Sequence, residues 1–156
     1  MLKLTKKADY GLIALKHLAV KGSAASAKEI ADCYHIPLPL LAKVLQKMGK
    51  SGFVRSEHGT HGGYRLARGA SEINTLEVIR AIDGPIILTS CFTDHGGDCS
   101  QSQHCTVKEP LRKVHEGILQ LLESISVEDL SRDEAATPGN PGGLLTASSI
   151  LPAYTN

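Results

Sequence analysis

The residue types with the most chemical potential in this chain crowd into one run, CFTDHGGDCSQSQHC at 91–105, which holds three of its four cysteines spaced C-x7-C-x5-C. The residues between them are glycines, acids, Ser, Gln and His, so the run has almost nothing with which to build a core. Cysteines placed where they cannot pack are there for their sulfur. Four chemistries are open to them: structural disulfides, a zinc site, a thiol switch, and an iron–sulfur cluster. The basic N-terminus MLKLTKKADYG is interrupted by Asp9 and followed by no small-residue cleavage site, so no export signal is expected. The expected compartment is therefore the cytoplasm, where thiols stay reduced and clustered cysteines bind metal or do redox chemistry more often than they pair.

Composition narrows the setting. A hydrophobic fraction of 42% with 21% charged residues is ordinary for a globular protein, and with 4% aromatics and no Trp the core must be Leu, Ile, Val and Ala. No run approaches the ~18 apolar residues of a membrane span. The overall charge of +1 conceals an asymmetry. Residues 1–70 carry 12 Lys/Arg against 4 Asp/Glu, and residues 71–156 carry 5 against 12. A basic first half points to a polyanion, most simply nucleic acid; the plainer account is lysines that only solubilise helix surfaces.

The elements that must position these residues follow from periodicity. In TKKADYGLIALKHLAV, Ala8, Leu12, Leu15 and Leu18 recur at helical spacing behind Thr5 as N-cap. A second helix, AKEIADCYHI, starts from Ser26 with Glu29 completing a capping box, and Pro37 ends it. Cys33, beside apolar neighbours on that helix, is expected to fill core space. A third helix runs from about Pro39 to Lys50 with Leu41, Leu45 and Met48 inward, stopped by Ser51-Gly52. Two strand-like runs, FVRSEH and GYRLAR, flank the turn GTHGG. Helix, helix, turn, helix and hairpin in this order make a winged helix-turn-helix over residues 1–70. The expected fold is thus mainly α with a small β-wing. Over residues 71–130 a helix at Thr75–Asp83, the cysteine-bearing loop and a long helix at Lys108–Ser124 follow. Leu111, Val114, Ile118, Leu121 and Ile125 form an apolar seam on that helix, read as a homodimerisation surface; the alternative is a helix lying on its own core. Thr106 is expected to cap it, and 126–129 to add one more capped turn. The Pro-, Gly- and Ser-rich segment 131–156 reads as a disordered tail.

On this reading the third helix enters the major groove of double-stranded DNA. Its early outward residues Pro39, Leu40 and Lys43 are the candidates for base edges, Gln46 for a base or phosphate, and Lys47 and Lys50 for phosphates. Lys6 and Lys7 would add to the backbone clamp, and Arg55, His58, His61 and Arg65 border the wing turn. His17, His35 and His115 sit at ordinary helical positions and are read as structural or solvated.

Three stretches, KLTKKADYGLIAL, IPLPLLAKVLQKMGKSGFV and GTHGGYRLAR, followed by the three cysteines, resemble the iron–sulfur regulators of the IscR and NsrR type, the Rrf-two family, over roughly residues 1–130. The resemblance implies a dimeric winged-helix transcription factor and no enzyme. It binds a palindromic promoter operator, and Cys91, Cys99 and Cys105 hold a [2Fe–2S] or [4Fe–4S] cluster that governs DNA binding. Family targets include iron–sulfur assembly and nitrosative-stress genes, so a nitric-oxide- or redox-responsive repressor is the alternative. Some members place a histidine three residues after the last cysteine, where this sequence has Lys108, a poor ligand for iron. Others take a fourth ligand from an acid on the first helix of the partner subunit; Asp9 stands at that place, with His104, His95 and Asp98 as further candidates. The cysteine spacings lack the close pair usual in zinc knuckles. A zinc- or thiol-based regulator without a cluster, and an electron carrier with a basic docking face, are the competing readings.

Overall fold

The computed structural model describes residues 3–60, 62–92, 99–101 and 103–132. His61, His95, Asp98, the Gly96-Gly97 pair and the tail beyond residue 132 lie outside the described residues. Six α-helices and one two-stranded antiparallel sheet make up the described elements: α1 (Lys6–Lys21), α2 (Ala27–Tyr34), α3 (Leu38–Lys50), β1 (Val54–Glu57), β2 (Gly63–Leu66), α4 (Thr75–Asp83), α5 (Lys108–Ser124) and α6 (Val127–Arg132). Short 3-10 turns lie at Ala70–Glu72 and Ser90–Phe92. Among the described residues no helix is long and apolar enough to cross a membrane.

Helix boundaries follow local chemistry. Thr5 caps α1 by accepting the Ala8 amide at 3.3 Å, and Gly22 at φ 66° closes it by donating its amide to Leu18. Ser26 likewise accepts the Glu29 amide at 3.0 Å, but the Glu29 carboxylate does not turn back to complete the box. It reaches across to the Lys21 ammonium at the end of α1, which holds the carboxyl below the ordinary carboxylate range. Nor does α2 run to Pro37: it ends at Tyr34 because His35 takes a left-handed conformation at φ 53° and donates its amide to Ala31. Pro37 instead opens α3, its carbonyl accepting the Leu40 and Leu41 amides, and Pro39 sits in the first turn, where no helical N–H is needed.

The core joins these helices with the second half of the chain. Leu15, Ile30, Leu41, Leu45 and Met48 are fully buried, and so are Ile73, Val78 and Val127. On α1 the inward stripe is Ala8, Gly11, Ala14, Leu15 and Leu18, with Leu12 only half-buried. Gly11 goes inward because the Ile82 side chain of α4 occupies the space a β-carbon there would need. Cys33 is exposed, against the expectation that it fills the core, since α2 buries Ile30 and Ala31 and residue 33 turns off that face. The end of α5 is stitched to the start of α4 by Thr75 N–H to the Ile125 carbonyl (2.9 Å) and Val127 N–H to the Ile73 carbonyl (2.8 Å).

The wing pairs Val54 with Leu66, Arg55 with Arg65, Ser56 with Tyr64 and Glu57 with Gly63. It is fixed to the body by a further antiparallel bridge: Ala25 N–H to Tyr64 O at 3.0 Å and Tyr64 N–H to Ala25 O at 2.8 Å. At Gly63 the Ala25 backbone lies so near that a β-carbon would overlap its carbonyl. Gly63→Ala should therefore push the wing off the α1–α2 connection and cost about 1–3 kcal/mol, the usual range for overpacking. Chemical denaturation reads this directly, and a variant as stable as wild type would contradict it.

Candidate nucleic-acid interface and cysteine segment

The amphipathicity of α3 sets up the first site. With Leu41, Val44, Leu45 and Met48 buried, Pro39, Lys43, Gln46, Lys47 and Lys50 are left exposed, and Leu40 is half-buried at the edge. The last turns of α3 face β1 across an open concave surface of about 580 Å³ that brings Gln46, Lys50, Arg55 and Tyr64 together. Helix and wing thus share one continuous basic surface. On its other flank, Lys7 of α1 joins Leu40, Lys43 and Lys47 around a recess of about 130 Å³ closed by Ile82.

Two details of this surface escaped sequence reasoning. Glu57 lies between the wing arginines, 3.3 Å from Arg65 and 4.0 Å from Arg55. Arg65 also donates to the Gly22 carbonyl at 3.4 Å. These are half-exposed pairs of small net worth, easily exchanged for phosphate. An acid two residues after Arg55 on the same strand, and diagonal to Arg65 across the hairpin, was the available signal. The second is Lys47, whose ammonium donates to the Ile82 carbonyl at 2.7 Å rather than standing free in solvent.

The cysteine segment leaves α4 through Gly84 at φ 89°. Cys91 lies in the Ser90–Phe92 turn with the Thr89 hydroxyl 3.0 Å from its sulfur. Cys91, Cys99 and Cys105 are half-buried, and none is in a disulfide. The Phe92 ring stacks on His115 of α5 with centroids 5.3 Å apart, and His115 Nδ1 is buried with no hydrogen-bond partner. His17 is not simply solvated either: it meets Tyr34 edge-on, with Nδ1 3.3 Å from the hydroxyl. Thr106 does not cap α5; Val107 precedes the helix in a helical conformation with no side-chain cap, which leaves Thr106 one residue too early. Asp9 and His104 are exposed. Among the described residues no three His, Cys, Asp or Glu side chains converge as a metal-binding group, so the three thiols are neighbours in sequence without being drawn together as ligands.

A winged helix-turn-helix with a cysteine segment between its fourth and fifth helices has known counterparts. The model of the Rrf2 family, described as Iron-dependent Transcriptional regulator, matches residues 4–133. The chain belongs to the Rrf2 family. It is similar to the HTH-type transcriptional regulator NsrR of Shouchella clausii (strain KSM-K16), 35% identical over 135 residues covering 85% of this chain and 91% of that one. The NsrR of Bacillus subtilis (strain 168) is 31% identical over 85% of this chain and 92% of its own length. Among solved structures, T. potens IscR superposes with a TM-score of 0.66 at 29% identity, covering 89% of this chain and 94% of that one. CymR, the global cysteine regulator of B. subtilis, gives 0.69 at 25% identity over 85% and 98%. As a member of the Rrf2 family the chain is a transcriptional regulator and not an enzyme, and its fold is the winged helix of these neighbours.

Lys43 is exposed on α3 beside Lys7 and Lys47, which makes it the residue on which to test contact with a duplex. Lys43→Ala should weaken duplex binding and lower the slope of log K against log[salt] by about 1 if it contacts phosphate. Fluorescence anisotropy titrations at several salt concentrations measure both, and an unchanged affinity and slope would remove Lys43 from the interface.

Proposed function

We propose that this Rrf2 regulator binds a palindromic promoter operator as a homodimer and that an iron–sulfur cluster on Cys91, Cys99 and Cys105 controls that binding, with iron–sulfur assembly genes as the targets. The observation that carries the proposal is three free, half-buried thiols in the one connection between α4 and α5. The donor chemistry fits, because thiolates are the usual protein ligands of such clusters. The orphaned Nδ1 of His115, stacked against the residue after Cys91, marks the same region as short of a polar partner. When bound, the cluster would supply a redox- and ligand-sensitive centre. The chain itself supplies the thiolates, the Thr89 hydroxyl beside Cys91, and a connection through Gly84 to α4. The fourth position is assigned in this proposal to Asp9 of a second subunit, where the resemblance to the family puts an acid of the first helix; Asp9 is exposed on α1. A nitric-oxide- or redox-responsive repressor built on the same centre is the second reading, supported by the NsrR relatives.

The homodimer is supported by what α5 leaves uncovered. None of its residues is buried; Val114 is 52% and Leu121 43% exposed. Leu121, Ile118 and Leu122 continue into an apolar groove of about 530 Å³ that also includes Leu4, Ile79 and Ile87. The charged face of α5 lies elsewhere, where Arg112 is bound by Glu109 and Glu116, which raise the guanidinium pKa while Glu109 is lowered.

Anaerobic purification followed by absorption and Mössbauer spectroscopy tests the cluster. The wild-type chain should be coloured and contain iron, and Cys91→Ser, Cys99→Ser or Cys105→Ser should each abolish or strongly destabilise it. Asp9→Ala should alter the spectrum and speed cluster loss. A wild-type protein that stays colourless and iron-free after reconstitution defeats the proposal. Separately, Val114→Glu combined with Leu121→Glu should convert a dimer to a monomer by light scattering while the helix content persists. An unchanged mass would place the dimer contact elsewhere.

A further inference from the structure

The two residues that end α4 are held from two helices of the first half, α3 and α1. The Lys47 ammonium of α3 donates to the Ile82 carbonyl at 2.7 Å. The Asp83 carboxylate accepts the Thr5 hydroxyl at 2.6 Å and the Thr5 amide at 3.3 Å, and Thr5 is the N-cap of α1. Between these contacts the Ile82 side chain, 5% exposed, is wedged against Gly11 of α1 and near Met48 of α3. One residue later Gly84 adopts φ 89°, and the chain passes through Pro85, Ile86 and Ile87 to Cys91.

We infer that Lys47 is a positioning residue, not a phosphate contact, and that with Asp83 it forms a two-armed latch through which the cysteine segment sets the placement of the recognition helix. Two physical facts favour this assignment. A helix C-terminus carries unpaired carbonyls and partial negative charge, so an ammonium there is stabilised where it stands. Base reading uses the N-terminal turns of such a helix, whereas Lys47 lies in its last turn, folded toward the protein. The Asp83 arm follows the same logic with opposite sign: its carboxylate sits at the positive start of α1. The segment after Gly84 is joined directly to Ile82 and Asp83, so strain or release there acts on both. Displacing them frees Lys47 from α3's side and Thr5 from α1's side together. This rests on the DNA-binding reading above, since the latch matters only if α3 touches DNA.

The test uses the full-length, metal-free chain carrying Cys33→Ser, so that the segment's three cysteines are its only thiols. The probe is a fluorescein-labelled duplex of unrelated sequence, and the perturbation is alkylation by N-ethylmaleimide. Alkylation should change duplex affinity in the parent by about 2- to 30-fold, the range of coupling that intermediate residues carry. Lys47→Met should abolish that response while leaving the salt slope at its parent value; Lys47→Arg should restore it. Asp83→Ala, which leaves Lys47 in place, should abolish the response independently and covers the case in which Lys47→Met does not fold. A salt slope lower by about 1 in Lys47→Met would make Lys47 a phosphate contact and overturn the inference. So would an undiminished response in both variants, or no response in the parent. If the parent binds no duplex at all, the DNA-binding reading falls, and the latch is judged by amide exchange: Gly84 N–H, bonded to Arg80 O at 2.9 Å, must exchange faster in Lys47→Met than in the parent, and equal rates overturn it.

Discussion

The arrangement depends on one close approach, that of α4 to α1 at Gly11. The δ-methyl of Ile82 occupies the place of a missing side chain, and Met48 and Val44 of α3 border the same spot. Three helices therefore meet at a residue with no side chain of its own. Burying a residue of Ile82's size contributes about 1.5–3 kcal/mol, but the geometric consequence is larger than that figure. It fixes the C-terminal end of α4 beside both α1 and α3, which is why Lys47 and Thr5 find partners on consecutive residues, Ile82 and Asp83. A bulkier residue at 11 would separate the helices and leave those polar groups without each other.

A second glycine contact does for the wing what Gly11 does for α4. Backbone bonds between Ala25 and Tyr64 attach β2 to the α1–α2 connection, and Gly63 lets the strands come that near. The wing's arginines are thereby placed at a set distance from α3, so that Arg55 shares a concave surface with Gln46 and Lys50. Glu57 tempers the charge there. Because its pairs with Arg55 and Arg65 are half-exposed, they orient the guanidinium groups at little energetic cost to exchanging them for a polyanion.

Periodicity carried most of the fold: the bounds of α4 and α5 coincide with the expected Thr75–Asp83 and Lys108–Ser124, and the buried stripe of α3 is the expected one with Val44 added. The departures each come from a tertiary contact or a backbone choice that pattern does not encode. Cys33 was expected inside because its neighbours are apolar, but an eight-residue helix buries only the face that meets α3. His35 ends α2 in a left-handed conformation that a non-glycine residue rarely adopts, so Pro37 looked like the terminator. Glu29 matches the capping-box spacing, yet a cation on the preceding helix takes its carboxylate. Gly11 reads as a blemish in an amphipathic pattern, whereas in three dimensions it is the contact that permits the packing. The range of chemistry open to the cysteine segment was readable from residue type, from disulfide or thiol switch to metal or cluster ligand. Its geometry was not, because ligand convergence depends on contacts beyond the segment.

Those contacts lead back to α5. Phe92, adjacent to Cys91, stacks on His115, and His115 lies one residue after Val114 on the helix whose apolar stripe remains open. The turn that carries Cys91 is therefore referenced to α5 on one side and, through Gly84, to α4 on the other. α4 is seated in the core, with Leu76, Val78, Ile79 and Ile82 all buried, while α5 is at most half-buried, with Leu122 packed against that core. Of the two supports, α5 is the one with large apolar side chains, Val114 and Leu121, still exposed. On the function proposed above, covering that stripe and drawing the cysteines together would be one physical event rather than two, with the Phe92–His115 stack as the link between them.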